Sequence, residues 1–409
     1  MPDLSPVSAA DGSSPDVPRR TGRARVYLDH AASTPCDPAV AELMADVNAR
    51  EFANAASSHA SGIRAAALIE RAREHLADAI GALPEEIVFT SGATESNNLV
   101  IQGVAAEAGR RGERRRKFVA LGLEHPSVLA PCRRLTACGF VFVEAPLRRD
   151  GRVDLDAFDD LVGDDALLVC IQAANNEIGT IQPLREAARI AHEHGALVHS
   201  DAAQALGKTC FNVEDLGLDF ASLSAHKCYG PKGVGALWVS GGPVRAPVGP
   251  LCFGGGHERG LRPGTANTAA IVGFGEAARL GVLRWQDDAR RIAGLRDAFE
   301  RQITGRLNGV MRNGALDHRL PGSSSLTFGG VDADALIANV PDLDLSAASA
   351  CHSGTPEPSH VLRAIGLRHE EAYSTVRVGL GRNTTMAEIE YAAARLVEAA
   401  SIVRSADYR

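Results

Sequence analysis

The chain has 409 residues, of which 45% are hydrophobic and 23% charged, and its formal net charge is −7. This composition supports a large core and excludes mainly disordered, collagen-like and disulfide-stapled chains. The negative charge gives no reason to expect nucleic-acid binding, and no apolar run is long enough to predict a membrane span. Residues 1–25 lack an apolar signal segment and are rich in Ser, Pro, Asp and Gly, which predicts a disordered tail.

Cysteine and lysine are both sparse. The eight cysteines form no CxxC pair and no zinc-ligand spacing with histidine, so we predict reduced thiols, a cytoplasmic location and no metal site. The 43 basic residues include only four lysines, at positions 117, 208, 227 and 232. Any reaction that requires an amine therefore has four candidates.

Seven short apolar runs predict the strands of one sheet: 87–90, 117–123, 140–143, 167–171, 196–200, 220–223 and 235–239. They are continuously apolar rather than alternating, which is typical of strands covered on both faces. Amphipathic segments such as 184–194 lie between them, so we predict an α/β domain with a mostly parallel sheet over about residues 40–280. A charged helical stretch at 282–308 and mixed short elements at 320–409 predict a smaller α+β domain.

Polar residues follow five of these runs: SGATES at 91–96, EH at 124–125, NNEIG at 175–179, Asp201 with Gln204, and SAHK at 224–227. Ligands of parallel sheets bind beyond the carboxyl ends of the strands. The small-residue turn at 91–96 opens a predicted helix, and the free N–H groups of a helix start favour phosphate. We therefore expect an anion site, a histidine, an asparagine, an aspartate and a lysine at one sheet edge.

This combination indicates pyridoxal phosphate. A lysine amine can form a Schiff base with its aldehyde, and a carboxylate can pair with its protonated ring nitrogen. Lys227 is the best placed of the four lysines and Asp201 is the candidate carboxylate. The His125 ring can stack on the pyridine, and Asn176 or Gln204 can hydrogen-bond the phenolic oxygen.

In these motifs the chain resembles the cysteine desulfurases, the NifS/IscS-like members of the class V aminotransferase group. The resemblance covers about residues 26–400 and rests on motifs in the same order. These are YLDHAASTP at 27–35, the five strand-end motifs, YGPKG at 229–233, GGGHERG at 254–260, RPGT at 262–265 and SAC at 349–351.

The resemblance implies a homodimer of the pyridoxal-phosphate-dependent fold type I, the aspartate aminotransferase-like fold. A large domain at 40–280 would bind the cofactor. A small domain would combine residues 26–39 with residues 281–409, which carry the loop of the catalytic cysteine. Residues 1–25 would remain a tail.

The resemblance also implies a set of cofactor-binding residues: Ala93, Thr94, His125, Asn176, Asp201, Gln204, Ser224, His226, Lys227 and Thr265. Lys227 and His125 would be catalytic as well. The phosphate would be held by positions 93, 94, 224 and 226, with Thr265 reaching the phosphate of the other subunit. Asn54 and Arg377 match positions that hold the substrate carboxylate.

Cys351 matches the nucleophile of the family. The implied reaction converts L-cysteine to L-alanine and leaves a persulfide on Cys351 for a sulfur-acceptor protein. The identity of that acceptor stays open, and iron–sulfur assembly is one destination. The chain ends soon after the last predicted helix, without the extension by which housekeeping desulfurases dock their iron–sulfur scaffold, which predicts a different acceptor.

At three positions the residue differs from the one that is usual in the matching motifs of the family: Ala55, Ala348 and His352. The Cys-His-Ser sequence at 351–353 is also similar to selenocysteine lyases of the same family, which are one alternative. A β-lyase or aminotransferase that does not use Cys351 is another. A non-catalytic partner protein is a third, and the joint presence of lysine, aspartate, histidine and cysteine at the matching positions argues against it.

Other conspicuous residues have structural interpretations. Cys228 is predicted to be a buried core thiol, and His192 and His194 to be exposed at a helix end. Residues 110–117 hold six basic residues around one glutamate. A solvated loop is favoured there over a contact with nucleic acid or an acidic partner.

Overall fold

The computed structural model describes residues 25–347 and 358–406. The strands are β1 (Val26–Tyr27), β2 (Ile87–Thr90), β3 (Lys117–Leu121), β4 (Val141–Ala145), β5 (Ala166–Cys170), β6 (Leu197–Asp201), β7 (Phe220–Ser224), β8 (Gly235–Val239), β9 (Val310–Arg312), β10 (Ser323–Phe328), β11 (Leu343–Asp344), β12 (Ser346–Ala347) and β13 (Thr375–Gly379). The α-helices are α1 (Pro38–Arg50), α2 (Ala60–Ile80), α3 (Ala93–Arg111), α4 (Pro126–Leu135), α5 (Leu155–Val162), α6 (Leu184–Glu193), α7 (Val213–Leu216), α8 (Thr268–Thr304), α9 (Ala333–Ala338), α10 (His360–Ala364), α11 (His369–Tyr373) and α12 (Met386–Ala406).

The seven predicted strands form one sheet in the order β2–β8–β7–β6–β5–β3–β4. Strands β7, β6, β5, β3 and β4 pair in parallel, and β8 is antiparallel to both of its neighbours. The predicted α/β fold with a mostly parallel sheet is therefore confirmed. The reversal at β8 was not predicted, because an apolar run buried on both faces has the same composition in either direction.

Helices cover both faces of this sheet, and side chains of its strands pack into two hydrophobic clusters. Along β3, Val119 and Leu121 pack into the cluster that includes residues of α2, α6 and the first part of α8. Phe118 and Ala120 pack into the opposite cluster with α3 and α4. This two-residue period, with both faces buried, explains why the strand sequences read as continuous apolar runs.

A second sheet, in the order β12–β13–β10–β9, is antiparallel and packs with α12 and the second part of α8. Strand β1 pairs with β11, so Val26 and Leu28 join this cluster although they lie near the start of the described chain. The predicted domain limits stay a prediction. The predicted limit at residues 280/281 lies inside helix α8.

Helix α8 is longer than the helical stretch predicted at 282–308. It begins at Thr268, where the side chain of Asn267 caps it by accepting a hydrogen bond from the Ala270 N–H. Its first part is buried nearly all round and lacks the amphipathic period that marks a surface helix. Among the described residues, no helix is long and apolar enough to cross a membrane.

Helices α2 and α8 cross closely at Gly275, which provides a test of the packing. A Cβ atom at Gly275 would lie 2.6 Å from the Ala72 Cα atom. We expect Gly275→Ala to lower the free energy of unfolding by about 1–3 kcal/mol, because the two backbones would have to separate. Urea denaturation measures this change.

The control is Gly294→Ala in the same helix, where no atom lies within 4 Å of the added Cβ. It is expected to leave the stability unchanged or to raise it by about 0.5–1 kcal/mol, since alanine favours helix. Equal destabilisation by both substitutions would contradict the close crossing.

Candidate active site

A cavity of about 480 Å³ lies at the carboxyl ends of β3, β5, β6 and β7, next to the start of α3. Nine predicted cofactor residues line it: Ala93, Thr94, His125, Asn176, Asp201, Gln204, Ser224, His226 and Lys227. The convergence expected from the strand ends is therefore present in the structure. The individual roles of these residues remain predictions.

Lys227 ends a short turn after β7, and its amine donates hydrogen bonds of 2.7 Å to the carbonyl oxygens of both Ala31 and Ala32. Burial is the main reason that the pKa of Lys227 falls to about 8, and Arg377 lowers it further. An amine with this pKa is about one-tenth neutral at pH 7, far more than an ordinary lysine. Lys227 is thus suited to act as a nucleophile or as a proton acceptor.

Asp201, at the end of β6, is held by two donors. Its Oδ1 accepts from the Ala203 N–H at 3.0 Å, and its Oδ2 accepts from the Asn97 side-chain amide at 2.7 Å. The same Asn97 nitrogen donates to the Ser127 hydroxyl at 2.9 Å. The carboxylate is buried and oriented before any ligand binds.

His125 caps helix α4, and its Nδ1 accepts a hydrogen bond from the Ser127 N–H at 3.1 Å. The Ser127 hydroxyl also lies 2.7 Å from Nδ1. Because Nδ1 accepts, the proton of the neutral ring belongs on Nε2. Burial lowers the pKa of His125 and keeps the ring neutral, as a ring stacked on a pyridine should be.

The start of α3 provides the anion-binding end of the cavity. The helix has 19 residues and begins directly after Gly92, so the N–H groups of its first turn have no acceptor within the helix. Ser224, His226 and Lys232 line the same cavity. Burial and the nearby Lys227 lower the pKa of His226 to about 4, so at neutral pH its ring hydrogen-bonds without carrying charge.

The donor set of this cavity fits pyridoxal phosphate. A helix start and a hydroxyl suit a phosphate, an amine of lowered pKa suits an aldehyde, and a buried carboxylate suits a protonated ring nitrogen. In the described residues, no cluster of three or more His, Cys, Asp and Glu side chains is placed to hold a metal ion.

Arg377, on β13 of the second sheet, reaches the edge of this region. Its guanidinium donates to Asp29 Oδ1 at 2.8 Å, to the Ser346 hydroxyl at 3.1 Å and to the Asn176 carbonyl oxygen at 3.4 Å. A substrate carboxylate at Arg377 would therefore share the guanidinium with Asp29. The Arg377 side chain is 14% exposed, which limits its screening by water.

Asn54 and Thr265 line a different cavity of about 630 Å³. Ser91 and Gly233 line both cavities, so the two are adjacent. The Asn54 side chain accepts a hydrogen bond from the Ala56 N–H within its own turn. The structure thus does not bring these two predicted residues together with the other nine. Cys351 and His352 lie outside the described residues.

Several residues of the site were missed by the sequence reasoning: Asp29, Asn97, Ser127 and Lys208. Asp29 and Ser127 lie in or beside quoted motifs, and Asn97 directly follows the 91–96 turn. For Asp29, Asn97 and Ser127, that position in or next to a quoted motif was the available signal. Only the contacts show that the Asn97 amide donates a hydrogen bond to Asp201 and that Asp29 accepts one from Arg377.

The structural interpretations of Cys228 and His192 agree with the structure, whereas His194, which was predicted to be exposed, is half-buried. Cys228 is buried, and burial raises the pKa of its thiol to about 12. His192 contacts Asp219, and His194 contacts two surface aspartates.

Much of the charge of the 110–117 run is balanced locally. Arg110 and Arg111 pair with Glu107, Arg115 pairs with Glu113, and Lys117 pairs with Asp165.

Comparisons with known proteins agree with this geometry. The family model described as Aminotransferase class-V matches residues 26–392. The cysteine desulfurase IscS of Rickettsia typhi is 44% identical over 368 residues, which cover 90% of this chain and 89% of that protein. A solved NifS-like protein superimposes with a TM-score of 0.85 at 34% identity, covering 92% of this chain and 100% of the other. SspA in complex with cysteine has a TM-score of 0.76 at 35% identity, covering 88% and 100%.

The pKa of Lys227 predicts how fast the cofactor-free protein takes up pyridoxal phosphate at different pH values. The neutral amine is the nucleophile, so the rate constant should rise with pH and level off above about 8. Between pH 8 and 9.5 we expect only about a twofold rise, against about 30-fold for an ordinary lysine amine. Stopped-flow absorbance measures the rate.

Nα-acetyllysine in the same buffers is the control, because it corrects for the ionisation of pyridoxal phosphate itself. A protein rate that follows the acetyllysine rate up to pH 9.5 would show that the amine of Lys227 has an ordinary pKa.

Proposed function

The chain belongs to the cysteine desulfurases of the class-V aminotransferase family, which depend on pyridoxal phosphate, and we propose that it stores the sulfur of L-cysteine as a persulfide on Cys351. The observation that carries this proposal is the arrangement around one cavity of the Lys227 amine, the Asp201 carboxylate and the start of α3. These three groups match the aldehyde, the ring nitrogen and the phosphate of one cofactor.

Different residues of the cavity would bind the phosphate, the pyridine ring and the phenolic oxygen of pyridoxal phosphate. The first N–H groups of α3, at Ala93 and Thr94, would bind the phosphate together with Ser224 and His226. Asp201, fixed by Asn97, would hold a proton on the ring nitrogen, and the neutral ring of His125 would stack on the pyridine. Asn176 and Gln204 would donate to the phenolic oxygen.

Lys227 would both attach the cofactor and move protons. When bound, pyridoxal phosphate supplies a ring that withdraws electrons from the substrate Cα. Because burial keeps part of the Lys227 amine neutral near pH 7, its Nζ can accept the Cα proton and later return one. The Ala31 and Ala32 carbonyl oxygens hold that amine in place.

Substrate binding and sulfur transfer complete the reaction. Arg377 would bind the substrate carboxylate, with Asn54 as the second predicted contact. The Cys351 thiolate would attack the substrate Sγ, so that an S–S bond forms and the substrate Cβ–Sγ bond breaks. L-Cysteine and the Cys351 thiol thus become L-alanine and a persulfide, and no external oxidant or reductant is needed.

The decisive experiment measures alanine formed from L-cysteine in the presence of a thiol reductant, together with the visible absorbance of bound pyridoxal phosphate. We expect Lys227→Ala to lose both signals. Cys351→Ala should keep the absorbance and form alanine at least about 100-fold more slowly, because only the nucleophile is missing. The control is Cys138→Ala, which removes an exposed thiol elsewhere and should behave as the wild type.

Other results would identify the alternatives. If Cys351→Ala keeps the wild-type rate, the persulfide role is wrong and a β-lyase or aminotransferase is indicated. If the wild type forms alanine from selenocysteine and largely ignores cysteine, the enzyme is a selenocysteine lyase.

Cysteine desulfurase chemistry requires a sulfur acceptor, and we propose that this acceptor is another protein and that the reaction takes place in the cytoplasm. The seven cysteines of the described residues are free thiols, which agrees with a reducing compartment. A pull-down with the persulfide form of the enzyme would identify the acceptor.

We also propose that the enzyme is a homodimer. Three large hydrophobic side chains are strongly exposed on segments that border the 630 Å³ cavity: Phe52 (85%), Ile63 (59%) and Phe253 (90%). Phe52 and Ile63 flank Asn54 along the chain, and Phe253 precedes the glycine-rich segment that leads to Thr265. Exposed apolar groups of this size favour burial by a partner, and the second copy would bring Thr265 to the phosphate site.

Sedimentation analysis tests the dimer. We expect the wild type to sediment as a dimer and Phe253→Glu to dissociate at least about tenfold more readily, since a buried charge weakens an apolar interface. The control is Leu316→Glu, which changes an exposed leucine in the loop between β9 and β10. A monomeric wild type, or equal weakening by both substitutions, would contradict the proposal.

A further inference from the structure

Lys208 has no role in the reaction as described so far, yet its side chain points into the protein. It follows β6, in the turn that carries Gln204, and lies four residues after Gln204 in sequence. Part of the residue is accessible, but protein atoms surround its amine, and this burial, together with Lys227, lowers the pKa of Lys208 to about 7. A buried amine is costly unless it has a specific partner.

The partner of Lys208 is the carboxamide of Gln204. The Lys208 amine donates to the Gln204 side-chain oxygen at 2.7 Å. On the opposite side, the Gln204 side-chain nitrogen donates to the Ala31 carbonyl oxygen at 2.8 Å. Gln204 itself is 5% exposed, so it has little access to competing water.

These two contacts determine which way the amide faces. A backbone carbonyl only accepts, so Ala31 must face the amide nitrogen, and the amide oxygen then accepts from the Lys208 amine. A primary amide has two N–H groups, and Ala31 takes one. Because Gln204 also lines the 480 Å³ cavity, the second N–H is the donor that it offers there.

The same carbonyl oxygen links this pair to the candidate catalytic lysine. Ala31 accepts from Gln204 and, at 2.7 Å, from the Lys227 amine. Lys208, Gln204, Ala31 and Lys227 therefore form one chain of hydrogen bonds. Removing the Lys208 amine would therefore take from the amide oxygen the hydrogen bond that it accepts at 2.7 Å.

We propose that Lys208 is a positioning residue that holds the Gln204 carboxamide with its nitrogen toward the cofactor cavity, so that the phenolic oxygen of bound pyridoxal phosphate meets an N–H donor and not a carbonyl oxygen. This inference rests on the proposed function, because it presupposes the cofactor in that cavity. Lys208 does not touch the cofactor in this account and acts only through Gln204.

The test compares the absorbance of the cofactor-loaded wild type with that of Lys208→Met, which keeps an unbranched side chain up to Cε and removes the amine donor. Without the N–H donor, the phenolic oxygen holds its proton more tightly. We expect the ratio of the forms with a protonated and a deprotonated phenolic oxygen, measured by absorbance at fixed pH, to change at least about threefold. We also expect the cofactor to dissociate about tenfold more readily. Lys117→Met, the same substitution at a lysine paired with Asp165, should change neither quantity.

A double-mutant cycle separates positioning from a direct effect of charge. If Lys208 acts through Gln204, Lys208→Met adds no further spectral change to Gln204→Ala. Lys208→Arg should keep the wild-type spectrum, because a guanidinium can also donate to the Gln204 side-chain oxygen. A cavity of about 40 Å³ beside Lys208 gives the larger side chain space. A merely structural role would lower the melting temperature without altering the ratio of absorbing forms.

Three results would overturn the inference: an unchanged spectrum in Lys208→Met, an equal change in the Gln204→Ala background, or a wild-type spectrum in Gln204→Glu. The last variant keeps a partner for Lys208 but has no N–H to donate, so it tests the proposal even if Lys208→Met does not fold. A wild type that binds no pyridoxal phosphate would instead refute the proposed function itself.

Discussion

The parallel direction of four neighbouring strands is the constraint on which the candidate site depends. Strands β3, β5, β6 and β7 are buried on both faces and pair in parallel, so the chain leaves each of them at the same edge of the sheet. Residues far apart in sequence, such as His125, Asp201 and Lys227, therefore line one cavity. The apolar clusters pack against both faces of these strands, and the loops that follow the strands carry the polar groups.

Desolvation then sets the chemistry of this edge. Burial lowers the pKa of His125, Lys208, His226 and Lys227 together, so four basic groups carry less positive charge than their number suggests. A neutral histidine can stack, and a partly neutral lysine can attack an aldehyde or accept a proton. The Asp201 carboxylate, which lines the same cavity, is kept in place by Asn97. The negative charge of a phosphate would be stabilised at the other end of the cavity by the N–H groups at the start of α3.

The second sheet and the segment at 29–34 also contact residues of the cavity. Arg377 on β13 contacts Asp29 and the Asn176 carbonyl oxygen, and Ala31 accepts from both Lys227 and Gln204. The segment at 29–34 thus lies between the second sheet and the cavity, where it binds residues of both. Helix α8 contributes side chains to the hydrophobic clusters on both sides, so the two parts share one continuous element.

The sequence by itself determined the seven strands, the strand-end motifs and the residues that line the cavity, because burial on both faces and turn residues leave a local signature in composition. It did not determine the direction of β8, the start of α8, the separation of Asn54 from the other nine residues, or the parts played by Asn97, Asp29 and Lys208. Those depend on contacts between distant segments, such as Asn97 with Asp201 and Lys208 with Gln204 and, through it, Ala31. Hydrogen-bond direction and burial arise only when the chain is folded, since the same lysine or asparagine in an unfolded chain would be solvated and have no fixed partner.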